Sequence, residues 1–509
     1  MERKQRVSEL EKGYHVMGER LKERTADAVI EYYQKQEPPV TPFDALIAAN
    51  KAHMVMLVET GIIDRRAASA ILKAILELEK LGQQRFQLDP YLVDLYMNME
   101  AFVVGKLGEE IGGKIHTARS RNDLEPTVLR IASRAALNET TRGIIELRES
   151  LIRRAREHVE TIMPGYTHMQ HAQPITLGHY LVGAADMLER DVHRLEEAYK
   201  RTNLSPLGSG ALATTGFPID RQKSAELLGF DALVENSLDG VSSRDFAQET
   251  VAALSILLTN LSRFAMDLIL WSTYEYGMVE LAEAYSSISS IMPQKKNPVM
   301  AEAIRASASR VYGQLERIQT VLRALPQGIS RDIGETDVLL DALGEASSII
   351  RVTTGITSTL IIKSEVMKRR AGEGFSTATE LADVIVRERG LSFRTAHRIV
   401  GTVVRRAMEK GKETEYITTE TIDAAAVEVA GKPLGLEEKT ILEALDPYEN
   451  VKRRRVTGGP APPEVMRMIE DRLRRIGGEN LRLEARMKRL EDAEKRLFEA
   501  VSQITESPD

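Results

Sequence analysis

The chain has 509 residues and carries 69 Lys+Arg against 75 Asp+Glu, a formal charge of −6. Hydrophobic residues make up 43% and charged residues 28%, a core-forming composition that excludes wholesale disorder. There is no cysteine, which excludes a disulfide framework, thiol catalysis and cysteine-ligated metal centres and fits a reducing cytoplasm. No stretch approaches the ~20 uninterrupted apolar residues of a membrane span. The first residues, MERKQRVSELEKGYH, lack a signal-peptide apolar run. The mildly acidic balance argues against a nucleic-acid surface. The expectation is a cytoplasmic, multidomain protein that acts on a small molecule, with no nucleic-acid or membrane partner.

Taken along the chain, the pattern is helical. Apolar residues recur at three- and four-residue steps, as from Val128 to Leu137 and from Phe246 to Leu270, and alternating strand patterns are scarce. Gly and Pro gather between these runs, at Pro164–Gly165, Ser205–Gly210, Pro293–Pro298 and Gly458–Pro463, where they mark helix ends and loops. The spacing predicts an N-terminal helical domain over residues 1–115 and a central long-helix bundle over 116–370. A C-terminal helical domain over 371–478 and a helical extension over 479–509 complete the division. Helices of ~30 residues have more apolar face than one thin domain buries, which predicts a bundle shared between subunits. In the extension, Leu483, Met487, Leu490, Leu497, Val501 and Ile504 form a stripe interrupted at Glu494, suited to docking or to a short coiled coil.

Three polar constellations stand out. His116–Asp123 packs two guanidiniums, two hydroxyls and an Asn just ahead of a long helix, where arginine forks and helix-start amides favour a carboxylate. Gly165–Pro174 clusters hydroxyl, imidazole and amide groups, including His168 and His171, with no carboxylate at metal-ligand spacing. Ser286–Pro298 sets hydroxyls, two lysines and an Asn in a polar loop that can fold over an anion. Taken singly, each has a plainer reading as a capped helix start, a structural histidine cluster or a solvated loop.

Together and in this order, the three segments resemble the fumarase/aspartase superfamily, specifically its argininosuccinate lyase branch. Met292–Pro298 is similar to the superfamily signature. Leu204–Ala213, Phe217–Arg221, Glu235–Asp239, Ser243–Phe246, Phe375–Asp383 and Leu445–Pro447 are similar to that branch. The resemblance implies an all-α, three-domain fold with the long-helix bundle shared in a homotetramer. It also implies reversible β-elimination of an amine from an N-substituted aspartate, releasing fumarate, with no metal and no cofactor. Removing a proton beside a carboxylate demands stabilisation of the dianion that forms. By resemblance, Ser289 is the base. Lys295 and Asn297 hold the carboxylate whose charge grows, and Arg119, Ser120, Asn122 and Thr167 grip the four-carbon unit. His168, oriented by Glu302, assists the leaving nitrogen.

The amine side departs from the branch. Val299 replaces an Asp after the Lys-Lys-Asn-Pro run, and Ile329, Gly334 and Asp337 stand where a Tyr, a Gln and a Lys are expected. The N-terminal serine expected before Asn50–His53 is not found, its place falling near Lys35. Three lost polar contacts at ~1–3 kcal/mol each weaken a zwitterionic arginine head by orders of magnitude. The reading is therefore a lyase for an amine other than arginine. The alternatives are an argininosuccinate lyase proper and a non-catalytic, crystallin-like relative.

Overall fold

The computed structural model describes residues 42–506 except 90, 91 and 93, together with Ala28 and Glu31. Helices α1 (Phe43–Glu59), α2 (Arg65–Leu81) and α3 (Leu95–Leu107) open the described chain. Asp64 starts α2 by accepting from the Ala67 amide at 2.8 Å, one of the orphan donors every helix start must satisfy. The long helix α4 (Arg121–Glu157) follows, started by a capping box between Ser120 and Asp123. Pro126 is accommodated in its early turns. At 37 residues and 1.5 Å per residue, α4 is about 55 Å long.

Strands β1 (Ile162–Thr167) and β2 (Gln170–Thr176) form an antiparallel hairpin with Ile162 opposite Thr176 and Thr167 opposite Gln170. Helix α5 (Leu177–Thr202) runs back along α4, and the short α6 (Arg221–Leu227) precedes α7 (Asp245–Ser272). The two-residue strands β3 (Ser287–Ile288) and β4 (Lys296–Asn297) pair across the signature segment, which is thus a small hairpin where a loop was expected. Helices α8 (Val299–Ala324) and α9 (Val338–Thr359) complete the bundle. Helix α7 is long and apolar enough to cross a membrane, but its apolar residues, among them Val251, Leu254, Leu258 and Leu261, are spent on the bundle core. The description as an all-α fold holds; among the described residues the strands form only four two-stranded sheets.

Hydrogen bonds fix which ends meet. Arg130, near the start of α4, donates to the Arg201 carbonyl at the end of α5 at 2.8 Å. Arg154, near the other end of α4, donates to the Leu360 carbonyl beyond α9 at 2.7 Å. Thr259 and Tyr312 share a 2.6 Å hydrogen bond midway along antiparallel α7 and α8. One pole of the bundle therefore holds residues 116–125, 201–213 and 325–338, and the opposite pole holds 157–176, 279–298 and 360–376.

Residues 381–444 form a compact core of their own, built from α10 (Ala378–Arg389), α11 (Phe393–Glu409), α12 (Thr419–Ala430) and α13 (Glu438–Leu445). The N-terminal core is less local: it draws in Leu207, Ala225 and Phe230 and, from the far end of the chain, Leu497, Val501 and Ile504. Those last three sit on α14 (Pro462–Glu506), one unbroken 45-residue helix that continues through Gly477–Gly478, where the sequence suggested a boundary. Its first half, including Met468, Ile476 and Leu483, belongs to the bundle core. Helix α14 is thus a docked brace across two cores.

A buried ion network anchors its middle. Arg148 of α4, fully buried, donates to Glu479 of α14 and to Glu189 of α5 at 3.0 Å. Donor atoms of Glu189, His193 and Glu479 lie within 4.8 Å of one another, yet the Arg148 guanidinium already supplies the positive charge among them. Fully burying a Leu side chain is worth roughly 2–4 kcal/mol against its Ala truncation. Leu497 is 6% exposed and its neighbour Phe498 is 65% exposed. Leu497→Ala is expected to cost about 2–4 kcal/mol in urea unfolding, and Phe498→Ala to stay within about 0.5 kcal/mol of the parent; equal effects would show that α14 is not braced on the N-terminal core.

Candidate active site

At the first pole the segment Gly113–Asp123 turns from a short 3-10 helix into α4. Asp123 is buried and its carboxylate accepts three backbone amides: Ser120 at 3.0 Å, Gly208 at 2.9 Å and Gly210 at 2.8 Å. Burial raises its pKa, against the pull of those donors. The clamp needs glycine: Gly210 has φ of +61°, and a Cβ there would sit 2.5 Å from the Thr214 carbonyl oxygen. Asn122 donates to the Ala211 carbonyl at 3.1 Å, so the Leu204–Ala213 loop is held against the start of α4 from two sides.

Arg119, which the resemblance assigns to gripping the four-carbon unit, is turned into the N-terminal core. It is 8% exposed and donates to Asn50 and, at 3.3 Å, to the Tyr96 hydroxyl, with its Cζ 5.1 Å from the Tyr96 ring. Its Nε and Nη1 are buried without a partner. The physical reason is the turn itself: Ala118 takes φ of +62°, which directs the next side chain into the N-terminal core. Half-exposed Arg121, one residue before Asn122, is the guanidinium at the helix mouth, paired with Asp94 at 2.5 Å. Nothing in the bare sequence separated the two arginines beyond their two-residue offset.

Behind this mouth lies a set of histidines that are held neutral. His53 is fully buried and its Nε2 lies 2.8 Å from the Thr117 carbonyl oxygen. Burial first, then the Arg119 charge, lowers its pKa to about 3. His116 is likewise lowered to about 4 by burial and by Arg119 and Arg121, and its Nδ1 is 2.6 Å from the Tyr96 hydroxyl. Burial pushes Tyr96 itself up to about 12. Tyr96 was not singled out in the sequence, and His116 only as the first residue of the His116–Asp123 cluster.

The divergent amine-side residues Ile329, Gly334 and Asp337 also lie at this pole. Ile329 is 36% exposed, Gly334 has open space around it, and Asp337 ends the 3-10 helix Arg331–Asp337. Burial raises Asp337 to about 6 despite the charge of Arg244. Arg244 is buried and lowered to about 10 by that burial, with Asp337 and Glu125 as its opposing charges. Glu125 is also raised by burial and by Asp94. The acidic residue that replaces the expected lysine thus has a countercharge inside the chain.

The remaining assigned residues lie at the opposite pole. Thr167 and His168 occupy the exposed tip of the β1–β2 hairpin, where His168 and Met169 take φ of 52° and 58°. His171 is turned inward, its Nδ1 3.2 Å from the Glu373 carbonyl oxygen. Half-buried Ser289 lies in the β3–β4 turn, where its hydroxyl oxygen accepts the amides of Ile291 at 3.3 Å and Met292 at 3.0 Å. Lys295 is exposed beside it, Asn297 is half-buried in β4, and Lys296 pairs with Glu280 at 2.8 Å. Val299 opens α8, with exposed Glu302 one turn on. No hydrogen bond joins Glu302 to His168 among the described residues. One chain therefore separates Ser120 and Asn122 from His168 and Ser289 by about the length of α4, roughly 50 Å. The position near Lys35 lies outside the described residues.

A long-helix bundle with polar hairpins at one pole and a clamped helix mouth at the other defines a lyase of the fumarase/aspartase superfamily, and residues 16–313 match the lyase family. Residues 375–452 match the argininosuccinate lyase C-terminal family. Argininosuccinate lyase from Methanocaldococcus jannaschii is 47% identical over 84% of this chain and 87% of its own length. That of Methanosphaera stadtmanae is 44% identical over 84% and 92%. Among solved structures, a doubly substituted EDDS lyase variant with bound fumarate superposes with a TM-score of 0.83 at 37% identity, covering 92% of this chain and 93% of that one. The chain belongs to the argininosuccinate lyase family, and it is a carbon–nitrogen lyase.

The neutral histidine makes a pH prediction. A His whose folded pKa is depressed leaves the unfolded state with more bound protons between the two values, so stability rises with pH there. With His53 at about 3 and the unfolded value near 6.5, its contribution is complete above pH ~6.5 and drains as pH falls toward 3. The melting-temperature difference between the parent and His53→Gln is expected to shrink from pH 7 to pH 4.5. A difference independent of pH would contradict the neutral assignment.

Proposed function

We propose that this enzyme eliminates an amine other than arginine from an N-substituted aspartate and releases fumarate, at sites assembled from both poles of different copies of the chain. The observation that carries the chemistry is the Ser289 turn. Its hydroxyl oxygen already receives two backbone N–H groups, so negative charge developing there on proton loss meets donors in place, each worth about 1.5–3 kcal/mol to a charged acceptor. A lid that shuts out water strengthens the effect, and exposed Lys295 adds positive charge from the same turn.

The proton Ser289 takes is the one beside the substrate carboxylate. The electron pair left behind moves into that carboxylate, which Asn297 and Lys295 stabilise, and then expels the amine, protonated by His168 with Glu302 orienting it. From another copy, the mouth formed by Ser120, Arg121 and Asn122 grips the four-carbon diacid, together with Thr167 from the hairpin pole. Arg119 acts through Asn50 and Tyr96 as a positioning residue. Separation of the two half-sites along α4 supports a homo-oligomer with an antiparallel neighbour, in line with the homotetramer the sequence suggested.

On the amine side, Ile329 brings apolar surface, Gly334 leaves room, and Asp337, balanced by Arg244, offers no cation to an amino-acid carboxylate. These features favour a bulkier or less anionic amine. The names of the relatives favour a second reading, cleavage of argininosuccinate itself. Following fumarate consumption by ultraviolet absorbance across an amine library separates them. The best amine is expected to exceed arginine by at least about 100-fold in kcat/KM, the worth of about 2.7 kcal/mol of lost contacts; arginine as the best amine would defeat the altered-amine reading. Ser289→Ala is expected to lower kcat by about 10²–10⁴-fold, the usual span of general-base contributions, and near-parental turnover would remove Ser289 as the base. Combining Ile329→Tyr, Gly334→Gln and Asp337→Lys is expected to raise argininosuccinate cleavage at least about tenfold, the worth of about 1.4 kcal/mol of regained contact.

A further inference from the structure

A cavity of about 260 Å³ lies where α14 crosses the end of α5 and the loop after α6. Gly229 makes the close approach there: its φ is +72°, and a Cβ would meet Ala493 and Leu490 of α14 at 3.1 Å. The inner wall is fixed. Buried Arg134 donates to Asn203 at 2.9 Å and to the Leu228 carbonyl, and its Cζ lies 4.6 Å from the Phe230 ring.

The lining holds charges that do not satisfy one another. Arg486 stacks over the Tyr199 ring, its Cζ 4.1 Å from the centroid. Its Nε is sealed from solvent without an acceptor. The Tyr199 hydroxyl, on a residue 3% exposed, likewise has no partner. Arg489 and Arg496 line the same space, and neither forms a hydrogen bond or ion pair among the described residues. Asp492 sits between them on the same face of α14, and exposed Asp231 and Glu226 complete the lining; the two aspartate side chains form no hydrogen bond or ion pair among the described residues, and the Glu226 carboxylate accepts from Gln222 at 3.2 Å. Opposite charges that share a cavity at separations beyond salt-bridge contact leave room for something that carries both signs. Unspent buried donors cost about 1–3 kcal/mol each until an acceptor arrives. Burial, together with the neighbouring Arg489 charge, also depresses the pKa of Arg486, a penalty that a bound carboxylate relieves.

We propose that this cavity binds a small zwitterion of the α-amino-acid class, its carboxylate on Arg486 and Arg489 and its ammonium toward Asp231 and Asp492. The volume suits a compact metabolite and not a cofactor or peptide. The site stands apart from the catalytic one: Arg134 is more than three helical turns along α4 from Asn122, about 18 Å. It is built by α14, so its occupancy stabilises the brace between the bundle and N-terminal cores.

Isothermal titration of the whole enzyme carrying Ser289→Ala, so that fumarate and the probe amines do not react, with saturating fumarate filling the catalytic site, tests this using L-alanine and L-glutamine as probes. Acetate and ethylammonium serve as the single-charge controls. At least one amino acid is expected to bind with Kd at or below about 1 mM, at least about tenfold tighter than either control. Arg486→Met, and separately the exposed-site variant Arg489→Gln, are expected to weaken it at least about tenfold while leaving fumarate formation unchanged. Acetate binding as tightly as the amino acids, unchanged binding in both variants, or no binding below about 50 mM would each overturn the proposal. Arg489→Gln keeps the test decisive should Arg486→Met fail to fold.

Discussion

The length of α4 is the constraint on which the rest of the molecule depends. A 37-residue helix holds a clamped, arginine-bearing mouth at one end and leads into a histidine-bearing hairpin at the other, where the signature turn also lies. No side-chain movement spans roughly 50 Å. Antiparallel packing of α7, α8 and α9 along the same axis enforces the separation, because each return helix ends at the pole where its partner began. In the assembly proposed above, a second copy laid antiparallel to the first would bring unlike poles together and turn a liability of long helices, excess apolar face, into the means of assembling a site.

Charge is managed differently at the two poles. At the mouth, burial keeps His53 and His116 neutral beside Arg119 and Arg121, so positive charge is concentrated in the guanidiniums and not diluted by titrating imidazoles. Asp337 and Glu125, both raised by burial, share Arg244. Around Asp337 two carboxylates therefore share one guanidinium, an arrangement that, on the function proposed above, disfavours a ligand bringing its own carboxylate there. At the opposite pole Ser289 sits half-buried in a small hairpin, its hydroxyl oxygen accepting two backbone amides.

Much of this was legible in the residues. The clustering of Ser286–Pro298 and of His116–Asp123, and the three- and four-residue periodicity, led to the family and to an all-helical bundle. What escaped was set by tertiary packing. Arg119 and Arg121 are chemically alike, and only the left-handed turn at Ala118 decides which is buried. Two adjacent glycines, at ~1 kcal/mol each in a helix, lie at the expected domain boundary after residue 478. Residues on either side, Ile476 and Leu483, are buried in the bundle core, and that tertiary packing carries the helix through the two glycines. The tight hairpin at Thr167–Gln170 rests on positive φ at His168 and Met169, residues that carry no turn signature of their own.

Subunit mixing tests the two-pole account most directly. Asn122→Ala damages one pole and Ser289→Ala the other, so neither variant alone has an undamaged site. Co-folding equal amounts is predicted to restore about a quarter of parental fumarate release, since each site draws its poles from different copies at random. If the mixture stays as inactive as its components while retaining the parental assembly, the poles do not meet between copies, and the catalytic assignment of Ser289 with Asn122 is contradicted.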